Sequence, residues 1–545
     1  MITIDLETNL SHSTIWCAGV QDHSQTSASL VFEKTQLEQM LSTADGVVGH
    51  NIIFFDQPVL KTCWQVDTTA PVWDSLVMAR LLVPTPVGGH SLSAWGQRIG
   101  YAKMDFDVED FESGYTDEMG EYCQRDVEVT TKLYHHLASQ LKRRGFSDYS
   151  IQLEHDVARV TAQQVANGFK LDMDIATNWQ SEMATRIDEI TKELQDRFPP
   201  IITIRVSEKT GKRLKDHVEY FNVGSRQQIA KRLSKLGVKW KKKTPNGAPV
   251  VDETTLSELD LPEAKLCAEY LGLVKLKGMV DSWLKYVDPD THRIHGYVNS
   301  CGAVTGRMTH NKPNLAQIPS LKIARECFSV EDGNVLVGCD ASGLELRCLA
   351  HYMNDDEYTK QILEGDIHSY NQHAAGLPER NMAKTMIYGL IYGAGDAKLG
   401  QIVGGGAKEG KQIRDTFLTQ LPSLRNLINK AKGVAQRTKR INGIDGRMIK
   451  VDEDYKALNR LLQSCGAIVM KVAVRNCCNK LDELGLFYKL VAQVHDEFQI
   501  EAKPEDADVV GQVARQAIID AGVELKMRCP MDAEYRVGSN WSTTH

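Results

Sequence analysis

Along the first 147 residues, short apolar runs alternate with stretches of helical periodicity, a pattern that predicts an α/β unit. The opening Met1-Ile-Thr-Ile-Asp-Leu-Glu-Thr predicts a strand, and its period of two points Asp5 and Glu7 to one face. From 148 to 275 the pattern becomes helical and more basic, beginning at Ile151-Gln-Leu-Glu-His-Asp-Val-Ala-Arg-Val. Between Arg226 and Lys243, Ile229, Leu233 and Leu236 predict one apolar stripe, while eight Lys or Arg residues and no acid predict a positive opposite face. The run Val335-Leu-Val-Gly-Cys-Asp predicts a strand that ends in Asp340, and Arg380 to Gly393 predicts a helix. Leu490-Val-Ala-Gln-Val-His-Asp-Glu-Phe-Gln-Ile500 alternates on either side of a two-residue break. It predicts a β-hairpin with His495 and Asp496 at its tip.

Composition narrows the class. A chain of 545 residues with 42% hydrophobic and 25% charged positions has room for several globular domains. Its net charge of -7 excludes a wholly basic nucleic-acid coat but admits an enzyme whose positive charge lines a cleft. Twelve cysteines run from Cys17 to Cys529 without Cys-x-x-Cys spacing, so neither a zinc knuckle nor a disulfide framework is expected, and a reducing compartment fits. Acids stand where a signal peptide carries basic residues, and no uninterrupted apolar run reaches membrane-spanning length; a cytosolic chain with no membrane partner is the expectation.

Four groups of residues carry candidate chemistry. If a strand and a hairpin tip bring Asp340 and Asp496 together, the pair suits Mg²⁺, which takes oxygen ligands and fills its remaining positions with water and phosphate. Two such ions stabilise both the attacking and the leaving oxygen of a phosphoryl transfer. A second group comprises Asp5, Glu7, Asp56 of Gly49-His-Asn-Ile-Ile-Phe-Phe-Asp56, and Tyr122 with Asp126, which are spaced i, i+4 on a predicted helix. Four acids and a tyrosine can hold two metals and orient a water. The third is the stripe Arg380, Lys384, Tyr388, with Gly365-Asp-Ile-His368 nearby, in which cations can grip a triphosphate while the ring stacks on a base. The fourth is the amide-rich loop Thr305 to Pro319 with Arg307 and Gln317, suited to sugar, phosphate or minor-groove acceptors.

Taken singly, each group also fits an ordinary role. His-Asp recurs at His155-Asp156, Asp-x-Glu recurs at Asp107/Glu109 and Asp126/Glu128, and Glu345 with Arg347 fits an ion-paired helix start. The basic segment Arg226 to Lys243 fits either a solvated helix or a surface that tracks phosphates.

Together, Asp340-Ala-Ser-Gly-Leu-Glu-Leu-Arg347, Arg380-x-x-x-Lys384-x-x-x-Tyr388-x-x-x-Tyr392-Gly393 and Val494-His-Asp-Glu497 resemble the three polymerase motifs of family A DNA polymerases. Asp340 to Tyr352, Gly365 to His368 and Leu461-Leu-Gln-Ser464 most resemble the replicative polymerases of short-tailed bacteriophages. The ordered set Asp5, Glu7, Asp56, Tyr122 and Asp126 resembles the DnaQ-like 3′-to-5′ proofreading exonucleases. The resemblance implies an RNase H-like α/β exonuclease domain over 1–147, followed by a right-hand polymerase. Its helical thumb would span 148–275, its α+β palm 276–352 and 459–545, and its helical fingers 353–458.

By the same resemblance, the activity is template-directed replication of phage DNA by two-metal nucleotidyl transfer, with proofreading. Two Mg²⁺ ions, with Mn²⁺ as a substitute, would sit at each centre. Asp340, Asp496 and the carbonyl of Ala341 would bind one pair, and Asp5, Glu7, Asp56 and Asp126 the other, with Tyr122 placing the attacking water. His368, Arg380 and Lys384 would contact the triphosphate, Tyr388 would stack beside the nascent pair, and Glu345 would close off the sugar 2′ position. Arg307, Gln317, Gln463 and His495 would contact primer-template DNA. The implied partners are primer-template, dNTPs, a phage helicase-primase and a single-stranded DNA-binding protein, in the cytoplasm of the infected bacterial host.

One departure stands out. The best-known phage relatives carry a long thumb insertion that recruits host thioredoxin, whereas here only Pro199 to Tyr220 precedes Phe221-Asn-Val-Gly-Ser225. That span predicts a small basic hairpin, and thioredoxin binding does not carry across. A distributive gap-filling polymerase and a binding module with an inactive palm are the rival readings. The proofreading acids argue against the first, and Asp340, Lys384 and Asp496 together argue against the second.

Overall fold

Strand β1 (Ile2–Thr8) lies in the middle of a five-stranded sheet with β2 (Ile15–Asp22), β3 (Ser29–Val31), β4 (Val47–Gly49) and β5 (Val72–Asp74), in the order β3-β2-β1-β4-β5. β1 is antiparallel to β2 and parallel to β4. In this computed structural model residues 107–110 and 113 are outside the description, and with them the Asp107/Glu109 pair. Ile2, Ile4 and Leu6 turn into a core with Val47, Ile52 and Val72, so the other face of β1 carries Asp5 and Glu7. Helix Asp117–Arg144 is capped by Thr116, which accepts from the Met119 N–H, and is terminated by Gly145 at φ +81°. It lies against β1 and β2 because position 19 is glycine: a Cβ there would sit 2.8 Å from Val127 and 2.9 Å from the Cys123 sulfur.

The chain divides into two compact units, one of Met1–Gly168, Gly296–Ile318 and Val330–His545, the other of Phe169–His295 and Pro319–Ser329. Helix Asp148–Asn167, the first part of the segment expected to form a thumb, therefore packs within the first unit. There, strand Val335–Ala341 is central in a four-stranded antiparallel sheet, flanked by Glu497–Ala502 and Ala533–Gly538, with Tyr488–Val494 at the edge. One continuous core runs from Val337 and Phe498 on this sheet through helix Ala457–Glu483 to Ala383, Ile387 and Phe417. The helices between 344 and 438 are thereby packed on the sheet that carries Asp340.

The stretch Asp454–Glu483 reaches the length and mean hydropathy of a membrane span, although Lys471 and Arg475 interrupt its apolar run. Its apolar window is 78% buried inside the protein, as a core helix requires, and Lys471 lies within it. The Lys471 ammonium pairs with Glu154 at 2.5 Å, Arg447 with Glu154 at 2.7 Å and with Asp445 at 2.8 Å, all buried. The twelve cysteines are free, and all but Cys63 are buried.

In the second unit, helices Met173–Arg197 and Pro262–Tyr286 pack together, and helix Arg226–Lys235 joins them through Ile229 and Leu233. Leu236, placed in the same stripe by periodicity, is 49% exposed, because the helix ends there. Arg232 is buried instead, with its guanidinium 6.0 and 5.8 Å from the rings of Phe198 and Phe221. Strands Ile201–Thr203 and His217–Glu219 pair as an antiparallel ribbon within Pro199 to Tyr220.

Candidate functional site

The strand that ends at Asp340 meets the hairpin Tyr488–Val494/Glu497–Ala502 with Asp340 directly opposite Glu497. Only His495 and Asp496 connect the two hairpin strands, and His495 takes φ +55°, a left-handed turn conformation that a two-residue loop requires. The carbonyl of Asp496 accepts the Ala341 N–H at 2.9 Å, tying the turn to the strand end. Burial, with Asp496 and Glu497 close by, pushes the Asp340 carboxyl up to about 7. Burial and Glu497 likewise raise Asp496. Carboxylates so disfavoured in their charged form fit a site for divalent cations, whose charge reverses that penalty.

Glu497 stands in the hairpin motif without a role expected from the sequence. It is buried, accepts from the Trp541 indole N–H at 2.5 Å, and pairs with the imidazole of His545. The ligand atoms of Asp340, Glu497 and His545 lie within 4.8 Å of one another. Register alone puts Glu497 across from Asp340, but its contacts with Trp541 and His545 come from the end of the chain.

A cavity of about 330 Å³ opens beside the pair, lined among others by Arg307, Glu345, Tyr392, His495 and Asp496. Glu345 accepts from the Tyr392 hydroxyl and lies 3.4 Å from the Arg307 guanidinium. It is not paired with Arg347, whose buried guanidinium donates to the carbonyls of Ser342, at 2.7 Å, and Pro530. The helix-start ion pair suggested by the sequence is thus replaced by two contacts of each side chain with other partners. Gln317 is exposed and Gln463 half-buried, and neither lines this cavity.

On helix Arg380–Ile391, Arg380 and Lys384 are exposed and Tyr388 is half-buried, which gives the expected stripe. Asp366 holds Arg380 through two hydrogen bonds, 2.6 and 3.0 Å. His368 lies with its ring centroid 6.3 Å from that of Tyr388. Burial and the charges of Arg380 and Lys384 lower its pKa.

The N-terminal carboxylates form a second centre. Asp5 and Glu7 leave β1 on one face, Asp56 opens the short helix Asp56–Val59, and Tyr122 and Asp126 come from helix Asp117–Arg144. Burial together with Asp56 and Asp126 raises Asp5 well above the carboxylate range; burial and Asp126 push Glu7 to about 9, and burial brings Asp56 to about 7. Glu7 Oε1, Asp56 Oδ1 and Asp126 Oδ1 are buried without a hydrogen-bond partner among the described residues. Buried anionic oxygens without donors fit metal cations. Lys103, which no local pattern in the sequence marks, bonds to the remaining Asp126 oxygen and places its ammonium 4.3 Å from the centroid of the Tyr122 ring. Burial pushes the Tyr122 hydroxyl up to about 12, so it stays protonated as a donor.

A sequence model of the family described as DNA polymerase family A matches residues 201–543. The chain is similar to the DNA-directed DNA polymerase of Escherichia phage T7, at 34% identity over 84% of this chain and 83% of the relative. The DNA-directed DNA polymerase of Enterobacteria phage T3 matches with the same identity and coverage. DNA polymerase I of Aquifex aeolicus is 25% identical over 98% of this chain and 95% of its own length. Among solved structures, the POL domain of Pol1 from M. smegmatis, in complex with DNA primer-template and dNTP, shares the fold. Its TM-score is 0.83 at 19% identity, covering 99% of this chain and 95% of that one.

Proposed function

This chain belongs to DNA polymerase family A and is a DNA-directed DNA polymerase, and from that premise we propose that it replicates phage DNA from the Asp340–Asp496 centre and proofreads from the Asp5–Glu7 centre. The observation that carries the reading is the junction of a strand end with a hairpin tip, which holds two carboxylates of raised pKa beside a cavity. Asp340 and Asp496, with the carbonyl of Ala341, are the ligands for two Mg²⁺, and Mn²⁺ is a substitute. Bound there, such ions supply Lewis-acid stabilisation of the attacking and leaving oxygens.

The protein's own residues do the positioning. Arg380, Lys384 and His368 hold the triphosphate of the incoming dNTP and offset charge on the departing pyrophosphate. Tyr388 stacks beside the nascent pair. Glu345, held between Tyr392 and Arg307, fills the space that a ribose 2′-hydroxyl needs. Arg307, Gln317, Gln463 and His495 grip primer-template DNA without reading its sequence; information comes from template pairing and the shape of the pocket.

At the second centre Asp5, Glu7, Asp56 and Asp126 hold a pair of divalent ions, and Tyr122 orients a water toward the terminal phosphodiester. The unpartnered buried oxygens of three of these acids support that role. Lys103 neutralises part of the charge on Asp126. Residues 1–147 then form the exonuclease, and 276–352 with 459–545 the palm. Residues 353–458 form the fingers, and the thumb lies within 148–275, chiefly in the part belonging to the second compact unit. The setting is the cytoplasm of an infected bacterium, with a helicase-primase and a single-stranded DNA-binding protein as partners.

The test is extension of a labelled primer on a long template, with and without a competing DNA trap, alongside degradation of a labelled 3′ end. Template-dependent extension that outlasts the trap, with 3′ degradation when dNTPs are withheld, is expected. Extension of only a few nucleotides per binding event would favour a gap-filling enzyme, and no 3′ degradation would remove the proofreading role.

A further inference from the structure

We infer that the single-stranded template ahead of the polymerase centre runs through a cationic groove made of two adjoining cavities beside Arg440. The inference rests on the polymerase reading above. One cavity, about 510 Å³, lies between the end of helix Ser75–Leu82 and the hairpin of strands Arg440–Asn442 and Met448–Lys450; Arg144, Lys439, Arg440 and Lys450 line it. The other, about 820 Å³, lies between helix Pro422–Thr438 and the end of helix Leu344–Met353, and Lys430, Arg440 and Arg528 line it. Thr438 and Arg440 border both, so the two spaces adjoin at the start of the hairpin, and all their walls belong to the first compact unit.

The charge in this groove is largely uncompensated. Asp452, at 3.1 Å from Lys450, is the one carboxylate among the described residues that line either cavity. The Arg440 guanidinium donates to the Met448 sulfur at 3.5 Å and that of Arg528 to the His351 carbonyl at 3.1 Å, so neutral acceptors fix both groups and leave their charge in place. All six cations except Arg144 are exposed, on a chain whose net charge is -7. Positive charge gathered in a cleft of an acidic protein draws an anion, and a row of cations across two joined cavities suits an extended one. Leu82, Pro84 and Met448 in the first cavity, and Leu427, Val434 and Leu461 in the second, add apolar surface for sugars and bases. The groove also meets the elements that carry proposed DNA contacts. Gly306 lines the first cavity and precedes Arg307; Leu461 lines the second and stands two positions before Gln463 on helix Ala457–Glu483. From that helix Arg460 bonds to the Lys450 carbonyl and, at 3.0 Å, to Asp452, which fastens the hairpin to it. An acidic peptide would match the charge, but only a nucleic-acid strand continues from Arg307 and Gln463. Contacts of this kind grip phosphates and carry no sequence information.

The probe is primer-template DNA with a dideoxy-terminated primer, bound to the full-length protein without dNTPs and followed by fluorescence anisotropy. Its template carries a single-stranded 5′ overhang of either about two or about twelve nucleotides, the longer within the span that single-strand grooves engage. Wild type is expected to bind the longer overhang roughly 10-fold more tightly at low salt. The variant Lys430→Ala/Arg440→Ala/Lys450→Ala is expected to lose that gain while binding the short overhang as wild type does. Its salt slope on the long overhang should fall by roughly two units, at about 0.7 for each phosphate contact on a single strand. Equal wild-type affinity for the two overhangs, or a variant that keeps the full gain or weakens both substrates alike, would overturn the inference. If near-ultraviolet dichroism shows the variant unfolded, photocrosslinking of the wild type decides: bromodeoxyuridine along the overhang should attach to peptides within 423–452, and attachment only elsewhere overturns the groove. A glutamate-rich peptide that binds there and that the long overhang fails to displace would assign the groove to an acidic protein instead and overturn the inference too. Primer extension is measured separately, so its loss with the overhang gain intact counts against the polymerase reading and leaves the groove standing.

Discussion

The main-chain N–H of Ala341 donates to the carbonyl of Asp496 across 2.9 Å, joining residues more than 150 positions apart in the chain. That bond carries the pairing of Asp340 with Glu497 one step further into the turn, and a 1 Å misplacement at a phosphoryl-transfer site costs on the order of 100-fold in rate. The separation of the carboxylates is therefore set by backbone, and side-chain changes at Asp496 should act on chemistry without releasing the turn.

The two centres should be separable. Asp496→Asn is expected to lower nucleotide addition at least ~1,000-fold, about 4 kcal/mol in barrier, while 3′ degradation of single strands continues. Asp5→Ala with Glu7→Ala should do the opposite. Both activities are read on one preparation by primer extension and end-label release; a single change that removed both in folded protein would defeat the two-centre scheme.

Tyr388 is expected to govern sugar selection. On the proposed placement its hydroxyl would stand in for a missing 3′-hydroxyl, so the wild type should use dideoxynucleotides readily, and Tyr388→Phe should disfavour them by roughly 100-fold, about 2.7 kcal/mol. Glu345→Ala should relax exclusion of ribonucleotides and also free Tyr392. Competition between deoxy- and dideoxynucleotides during extension measures the first effect, and equal use by both proteins would misplace the helix.

Stability without metal should fall as pH rises. The pKa values of Asp5, Glu7 and Asp56 are raised on folding, Glu7 to about 9 and Asp56 to about 7. A raised folded-state pKa means stability that is fully present below the unfolded carboxylate pKa and is lost as pH rises through the folded value. In a chelating buffer the melting temperature should therefore drop between pH 6 and pH 9, and Asp5→Asn with Glu7→Gln should reduce that drop. Mg²⁺ or Mn²⁺ should raise the melting temperature more at pH 8 than at pH 6, by binding the folded form. A flat profile in chelator, checked by calorimetry, would contradict the raised values.

The buried charges Glu154, Arg447, Asp445 and Lys471 tie helix Asp148–Asn167 to the turn at 443–447 and to the central helix Ala457–Glu483. Lys471→Met leaves Glu154 buried beside a single cation and should cost about 3–5 kcal/mol. Adding Glu154→Gln should recover part of that loss. Denaturant melts of both single variants and the double measure it; a double variant as unstable as the sum of the single ones would show that the charges do not interact.

Salt should shorten products more than thioredoxin lengthens them. The exposed cations between Arg226 and Lys243 each contribute roughly one unit to the salt slope of DNA affinity wherever they meet a phosphate. Arg232 is buried over two rings and should contribute none, so Arg232→Ala should destabilise while leaving the slope unchanged. Bacterial thioredoxin is expected to leave trapped-extension length unchanged, and several-fold longer products at fixed salt would show that the ribbon at Pro199 to Tyr220 suffices as a dock.

Local spacing was enough to place Asp5 and Glu7 on one face of a strand, Asp340 at a strand end, His495-Asp496 at a hairpin tip, and Arg380, Lys384 and Tyr388 along one helix. Each of those relations spans a few residues and follows from a period of 2.0 or 3.6. For the helix through Lys471, length and hydropathy alone do not distinguish a core helix from a span, and burial does. Relations across long separations had no local signal at all. Lys103 reaches Asp126 over 23 positions, Cys123 reaches the Asp5 carbonyl over 118, and His545 reaches Glu497 over 48. Leu236 and Arg232 exchanged their expected places because a helix end and two phenyl rings, neither visible in the stripe, decided which side chain was covered. The sequence by itself determined which groups were presented on each element; packing of distant elements decided which partners completed each centre, because contact between them exists only once the core has formed.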